Sequence, residues 1–375
     1  MISNAFGIIY TGGDSMRLKD LAYSRSTAAV PFGGRYRCID FIMSSMVNSG
    51  FTNVGIIAQK NYHSLMDHLG SGKEWDLNRK RDGLFMLPPF VTRDNVGLYR
   101  GTVEALKNVS GYVRRSSQRY AFVAGSYTIF NTTFNDMLEQ HIKSGAEITI
   151  MCNDDGSTER PEDQYEDLRV KVDDNGRVTD MEYNPYHPTS TLRSCNVFLM
   201  EKTLLEFLVE EAVAHGKYDL SLDVLMPNVK KLRIYSYLYR GFVARLNSPN
   251  SFFASNMALL DHNVREDLFN EEHPIYTKVK DEVPARYGRG ARPRNSIVAD
   301  GCIIEGEVED SILFRGVQVA KGAKVKNCIL MQGTQIQENA ELNYAVLDKS
   351  VIVQQGRQLS GHETFPLLIR KASMV

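Results

Sequence analysis

"SILFRGVQVAKGAKVKNCILMQGTQIQENAELNYAVLDKS" (residues 311–350) carries a period that few folds produce. Apolar residues recur every six positions: Leu313, Val319 and Val325, then Leu330, Ile336 and Leu342. The series continues through Leu347, Val353 and Leu359. Small residues stand between them at Gly316, Gly322, Gly333 and Gly356. Four segments align, "SIVADG" from Ser296, "SILFRG" from Ser311, "CILMQG" from Cys328 and "AVLDKS" from Ala345, with starts 15, 17 and 17 residues apart. Three six-residue units to a coil predict a parallel β-helix in which each unit supplies one side of a prism. Such a solenoid buries its core only by stacking, so about four coils form one cooperative unit. An ordinary β-sandwich predicts no fixed period of six.

Upstream the pattern is different. "AFGIIY" (5–10), "NVGIIA" (53–58) and "YAFVAG" (120–125) read as strands, the first ended by Gly12-Gly13. Between them lie helical patterns. "GTVEALKNVSGYV" places Val103, Leu106, Val109 and Val113 on one face. "NTTFNDMLEQHIKSG" does the same with Phe134, Met137, Leu138, His141 and Ile142, and Gly145 stands as the C-cap. Strand–helix alternation predicts an α/β domain with a mainly parallel, Rossmann-like sheet covered on both faces. The expected division is a sheet domain over 1–250, a connecting helix and linker over 251–292, and the β-helix over 293–375. No histidine occurs between His273 and His362, so the solenoid lacks the residue that β-helix acyltransferases and hydrases use.

Composition narrows the partners. The chain of 375 residues has 43% hydrophobic and 24% charged residues and a formal net charge of −1. That balance gives no footprint for nucleic acid or an anionic membrane. No basic, apolar leader opens the sequence and no apolar run approaches the roughly 20 residues of a membrane span, so a cytoplasmic protein is expected. Five cysteines, an odd number and never in C-x-x-C spacing, read as reduced core thiols.

The chemistry-bearing stretches lie in the first domain. "YTGGDSMRLKDL" (10–21) follows the first strand, and Gly12, Gly13 and Arg17 suit a phosphate cradle or, equally, a plain tight turn. With "AAVPFGGRYRCIDFIMSSMVNSGF" (28–51), "YRGTVEAL" (99–106) and the hexapeptide region, it occurs in an order that resembles the bacterial ADP-glucose pyrophosphorylases (glucose-1-phosphate adenylyltransferases) nearly end to end. The resemblance implies a nucleotidyltransferase domain followed by a left-handed β-helix. It also implies a reaction in which glucose 1-phosphate attacks the α-phosphorus of ATP, with Mg²⁺ and cationic side chains neutralising the phosphates.

At the positions the family uses for that chemistry, this sequence departs. The third glycine of the family's G-G-x-G-x-R-L loop falls on Ser15, beside the added charge of Asp14. The phosphate-touching lysine of K-P-A-V falls on Thr27. The magnesium-holding aspartate of G-D-H falls on Ser126, and the sugar-phosphate lysine of F-x-E-K-P on Asn184. A second metal aspartate, in R-D-V-G-T, falls near Arg245. A hydroxyl and a guanidinium cannot hold Mg²⁺ as two carboxylates do. The resemblance therefore points to the family's regulatory, non-catalytic subunit. It implies no cofactor for this chain, Mg²⁺ in a catalytic partner subunit, and a hetero-oligomer, by family habit a tetramer. Gln59, Gly101 and Thr102 match the adenine pocket, leaving ATP as a ligand to test. Arg25, Arg35 and Arg37 stand where the family binds anionic effectors such as sugar phosphates; a solvated basic loop or an inter-subunit ion pair is the alternative. An active transferase with altered ligands and a structural scaffold subunit stay open beside the regulatory reading.

Overall fold

The computed structural model describes residues 4–12, 18–89, 98–158 and 166–375, and the counts below refer to these. Nine main strands come first: β1 (Ala5–Tyr10), β2 (Asn53–Ile57), β3 (Gly83–Leu87), β4 (Tyr120–Gly125), β5 (Ile148–Asp154), β6 (Leu168–Val172), β7 (Val178–Tyr183), β8 (Leu192–Glu201) and β9 (Ile234–Tyr239). They form one sheet ordered β7-β6-β8-β4-β1-β2-β3, with β5 joining β9 to β8. The pairs β1–β2, β1–β4, β2–β3 and β5–β9 are parallel. Strand β8 runs antiparallel to β4 and β5, so a parallel half meets an antiparallel seam.

Eight α-helices of six or more residues flank or follow the sheet: α1 (Cys38–Asn48), α2 (His63–Leu69), α3 (Thr102–Asn108), α4 (Ser110–Arg115), α5 (Asn135–Ser144), α6 (Lys202–Ala214), α7 (Pro249–Met257) and α8 (His262–Leu268). Alternation along β1 sends Phe6 and Ile8 toward α3, α4 and α6, where Val103, Leu106, Val113, Leu205 and Leu208 are buried. Ala5 and Ile9 face the other layer, with Ile42, Met46, Phe134 and Met137. A strand buried on both faces must be apolar along its buried length, and β1 is from Ala5 to Ile9. The face expected over 102–113 is buried as read, but the helix breaks between Asn108 and Ser110. In α5 the C-cap is Gly145 in the left-handed region, while Ile142 is 55% exposed, turned off the edge of the apolar stripe. All five cysteines are buried thiols. No described helix is long and apolar enough to cross a membrane.

The repeat region forms three five-stranded parallel sheets, one per side of the prism. Leu313, Leu330 and Leu347 point inward from one side, Val319, Ile336 and Val353 from the second, and Val325 and Leu342 from the third. Coil pairing already begins at Arg286–Tyr287, within the stretch read as linker, because a two-residue rung needs no apolar run to pair with Ile303–Ile304. The side built on Ile312, Ile329 and Val346 is apolar on both faces, and its outer face packs on Phe32 and Phe41 of the first domain and on Leu259 of the connecting segment. Burial of such side chains is worth about 1.5–3 kcal/mol each. The solenoid is thereby fixed against the sheet domain, and a cleft is left where the two meet.

Candidate functional site

Two clefts hold the candidate residues. The first, about 330 Å³, lies past the carboxyl ends of β1 and β4, where open α/β sheets bind ligands. Tyr10, Gly12, Gln59, Gly101, Thr102 and Asn196 are among the residues that line it. Of the sequence-derived nucleotide positions, Gly12, Gln59, Gly101 and Thr102 are thus brought together; Gly13, Ser15 and Arg17 lie outside the described residues. Gln59 donates to the Tyr10 hydroxyl (2.6 Å) and the Tyr99 carbonyl (3.2 Å). Thr102 accepts from the Leu220 amide (2.8 Å). Gly101 is required by close approach, since a Cβ there would lie 2.3 Å from the Tyr218 carbonyl oxygen.

The cleft's charges are few and engaged. Arg100 stacks on the Tyr218 ring, its guanidinium 3.7 Å from the centroid, and donates to Glu104 (2.7–3.3 Å). Asp219 N-caps the turn at Leu222 (2.8 Å), and burial raises its carboxyl above the ordinary range. Glu166 is the other lining acid.

At the end of β4, Ser126 is 1% exposed and its Oγ has no hydrogen-bond partner. A two-strand pairing sets Arg245 opposite Thr128, and Leu246 N–H donates to the Tyr127 carbonyl (2.8 Å). The Arg245 guanidinium donates to Asn153 Oδ1 and to the Ser194 carbonyl (3.2–3.3 Å). Burial lowers its pKa. The two positions assigned to metal-holding aspartates therefore adjoin one another as a hydroxyl and a cation. Among the described residues no cluster of three acid, histidine or cysteine side chains could hold a metal ion. This donor set does not fit Mg²⁺. Thr27 is buried in a short turn, and Asn184, at φ 50°, exchanges hydrogen bonds with the Asp167 backbone (2.8 and 2.9 Å) instead of lining the cleft.

The second cleft, about 220 Å³, lies between the domains. Six basic side chains line it, Arg35, Arg37, Lys278, Lys280, Arg315 and Lys349, against one acid, Asp67. Arg35 is exposed, and Arg37 donates to the Ser64 carbonyl (2.6 Å) and hydroxyl (3.0 Å). Arg25, grouped with them from sequence, does not line the cleft. It is buried in an ion pair whose Nη2 donates to both Asp348 oxygens (2.8 and 2.6 Å), joining the first domain to the solenoid.

Sequence reasoning missed Arg315 and Lys349. They occupy the fifth position of the aligned segments "SILFRG" and "AVLDKS", with Gln332 at that position of "CILMQG" between them. The next residue in each segment turns the corner at positive φ (Gly316 68°, Gly333 71°, Ser350 58°), so one prism edge stacks these side chains into the cleft. Arg315 is only 7% exposed, and its Nε and Nη2 have no partner. Burial is the main reason its pKa is lowered, and Arg35 adds to the effect. An unpaired buried guanidinium is costly, and an anionic ligand would satisfy it.

Residues 6–241 match the nucleotidyl transferase family model, and residues 282–364 the GlmU-like C-terminal hexapeptide model. The chain belongs to the nucleotidyl transferase family. Within it the chain falls in the ADP-glucose pyrophosphorylase-like branch. It is 40% identical over 312 residues to the glycogen biosynthesis protein GlgD of Geobacillus stearothermophilus, covering 82% of this chain and 79% of that one. GlgD of Bacillus subtilis is 37% identical over the same shares. The glucose-1-phosphate adenylyltransferase of Geobacillus stearothermophilus is 31% identical over 330 residues, 87% of this chain and 84% of that protein.

Proposed function

We propose that this chain is a regulatory, catalytically impaired subunit of a cytoplasmic bacterial glucose-1-phosphate adenylyltransferase, acting in glycogen synthesis beside a catalytic paralogue. The observation that carries the reading is the pair Ser126 and Arg245, a buried hydroxyl just past β4 and a half-buried guanidinium on the strand segment paired beside it. Transfer of an adenylyl group needs positive charge steadied on a triphosphate, and an arginine at a metal position repels the ion instead. Identity to two glycogen biosynthesis proteins and to an adenylyltransferase supports the glycogen-synthesis part of this reading.

A silent subunit acts through its contacts. In a closed oligomer it shifts an active neighbour when the contact differs between conformational states. The basic cleft between the domains is the proposed sensor, taking an anionic metabolite such as a sugar phosphate through Arg35, Arg37 and Arg315. The sheet cleft keeps its nucleoside-facing groups and is proposed to bind ATP weakly. Mg²⁺ belongs to the partner.

Pyrophosphate release from ATP, Mg²⁺ and glucose 1-phosphate tests the assignment. The isolated chain should give none above background, and addition to the purified catalytic paralogue should change its turnover or effector response. Turnover by the isolated chain would establish an active transferase. Co-assembly with unchanged kinetics at every ratio would establish a scaffold.

A further inference from the structure

Lys349 stands at the same prism edge as Arg315, two coils further along, and opens on the same basic cleft. The nearest carboxylate, Asp348, is already engaged. Both its oxygens accept from Arg25, and Oδ1 also accepts from the Lys349 backbone N–H (2.7 Å). Among the described residues the Lys349 amine has neither an ion pair nor a hydrogen bond. Arg37, Arg25 and Lys280 act on it as like charges, with Asp348 the opposing one. Arg35, Tyr36, Lys278, Arg315, Asp67 and His68 complete the charged and titratable lining. A half-buried primary amine without a partner, set among groups that attract phosphate, is placed as a nucleophile beside an anion-binding pocket.

We infer that Lys349 is a covalent modification site, acylated by acyl phosphates that the basic cleft holds by their phosphate group. The amine lone pair attacks the carbonyl carbon of the bound acyl phosphate. The bond from that carbon to the bridging oxygen breaks, and phosphate leaves with the electron pair. The amine loses a proton to solvent, and nothing is oxidised or reduced. The amide that results can carry no charge, so acylation removes one of the cleft's cations.

Protonation favours this lysine over others. Burial first, then Arg37 and Arg25, press its pKa down to about 7, so about half the amine is free base at neutral pH. An exposed lysine titrates near 10.4 and offers well under about 1%. A less basic amine is intrinsically a weaker nucleophile, which returns part of that gain, so a net advantage of roughly tenfold to a hundredfold is expected.

The inference rests on the proposed anion-binding role of the cleft, and one experiment separates the two. The full chain is exposed to acetyl phosphate across pH 6 to 9, acetylation of each lysine is followed by peptide mass spectrometry, and phosphate binding is measured calorimetrically on the same preparation. Lys349 should react roughly ten to a hundred times faster than the median exposed lysine at neutral pH. Its rate should reach half-maximum near pH 7, and inorganic phosphate should slow it. Arg315→Gln should lower the rate and weaken phosphate binding; phosphate competition on the unaltered chain asks the same question should that variant fold poorly. Acetylation spread among lysines by exposure, with phosphate bound, overturns the inference and leaves the anion cleft standing. The same spread without phosphate binding overturns both. Fast acetylation of Lys349 that phosphate does not slow overturns delivery through the cleft.

Discussion

The cleft past the strands and the cleft between the domains divide the positive charge of this molecule unevenly. Among described residues the first is lined by one arginine, already stacked on Tyr218 and paired with Glu104, together with Asp219 and Glu166. The second is lined by six basic groups and one acid. Phosphate recognition depends on unengaged cations or a bound metal ion, and such cations are gathered where the domains meet. The sheet cleft is lined by the Tyr10–Gln59 pair and the Gly101–Thr102 turn, the groups proposed to recognise a nucleoside. A shared fold therefore does not fix where an anion binds; the side chains at each rim decide it.

The largest expected effect tests how the basic cleft tolerates its own repulsion. Arg25 and Asp348 are 4% and 2% exposed and bridge the two domains. Asp348→Asn leaves a buried guanidinium without its counter-ion, and breaking such a pair costs about 3–5 kcal/mol. Chemical denaturation should show that loss, with a smaller one for the double variant Arg25→Met/Asp348→Asn. A loss below about 1 kcal/mol for Asp348→Asn would mean that the pair does not hold the domains together.

A somewhat smaller effect follows from Lys349. Its amine titrates near 7 when folded and near 10.4 when unfolded. Between those values the unfolded chain binds more protons, so this group makes stability rise with pH from about 7 to about 10 and adds nothing further below 7. With its partial exposure allowed for, about 2–4 kcal/mol is expected across the window. Lys349→Gln should flatten that rise in pH-dependent melting, and saturating phosphate should reduce it in the unaltered chain. An identical slope in both chains would remove the basis for treating this lysine as half neutral.

How much of this could be read beforehand differs between the two clefts. A buried hexapeptide core imposes a strict period, so Leu313, Val319 and Val325 declared their prism sides at once. Strands buried on both faces, such as β1, were legible for the same reason. Ser126 and Asn184 could be located along the chain because each directly follows a strand, β4 and β7. The basic cleft was half hidden. Arg35 and Arg37 lie in a recognisable block, but Arg315 and Lys349 sit at corner positions that the apolar period does not mark, and the 278–280 segment reaches the cleft from a linker. Arg25 was misleading in the other direction: a basic residue beside Arg35 in sequence proves to be an internal strut, because its partner is 323 residues away. Ile142 shows the limit of a helical stripe, since a residue on the stripe's margin follows the neighbouring element and not the period.

The smallest effect sharpens the contrast most. In a transferase that works through Mg²⁺, the ion and the triphosphate bind together, and removing the metal weakens the nucleotide by much more than tenfold. Here Ser126 and Arg245 stand at the positions assigned to the metal ligands, and the guanidinium is held by Asn153 and the Ser194 carbonyl, so it cannot swing aside to admit an ion at low cost. Binding in the sheet cleft should then come from the nucleoside: adenosine, AMP and ATP should differ little in affinity. Replacing Mg²⁺ with a chelator should change the ATP value by less than about twofold, under roughly 0.4 kcal/mol. Calorimetric titrations with and without the metal decide it. A tenfold or greater gain from Mg²⁺ would require carboxylates at the ion, and Glu166 would be the first to replace, as Glu166→Gln. Insensitivity to the metal, beside clear binding of phosphate between the domains, would place the anion-sensing chemistry of this protein at the junction of its two folds.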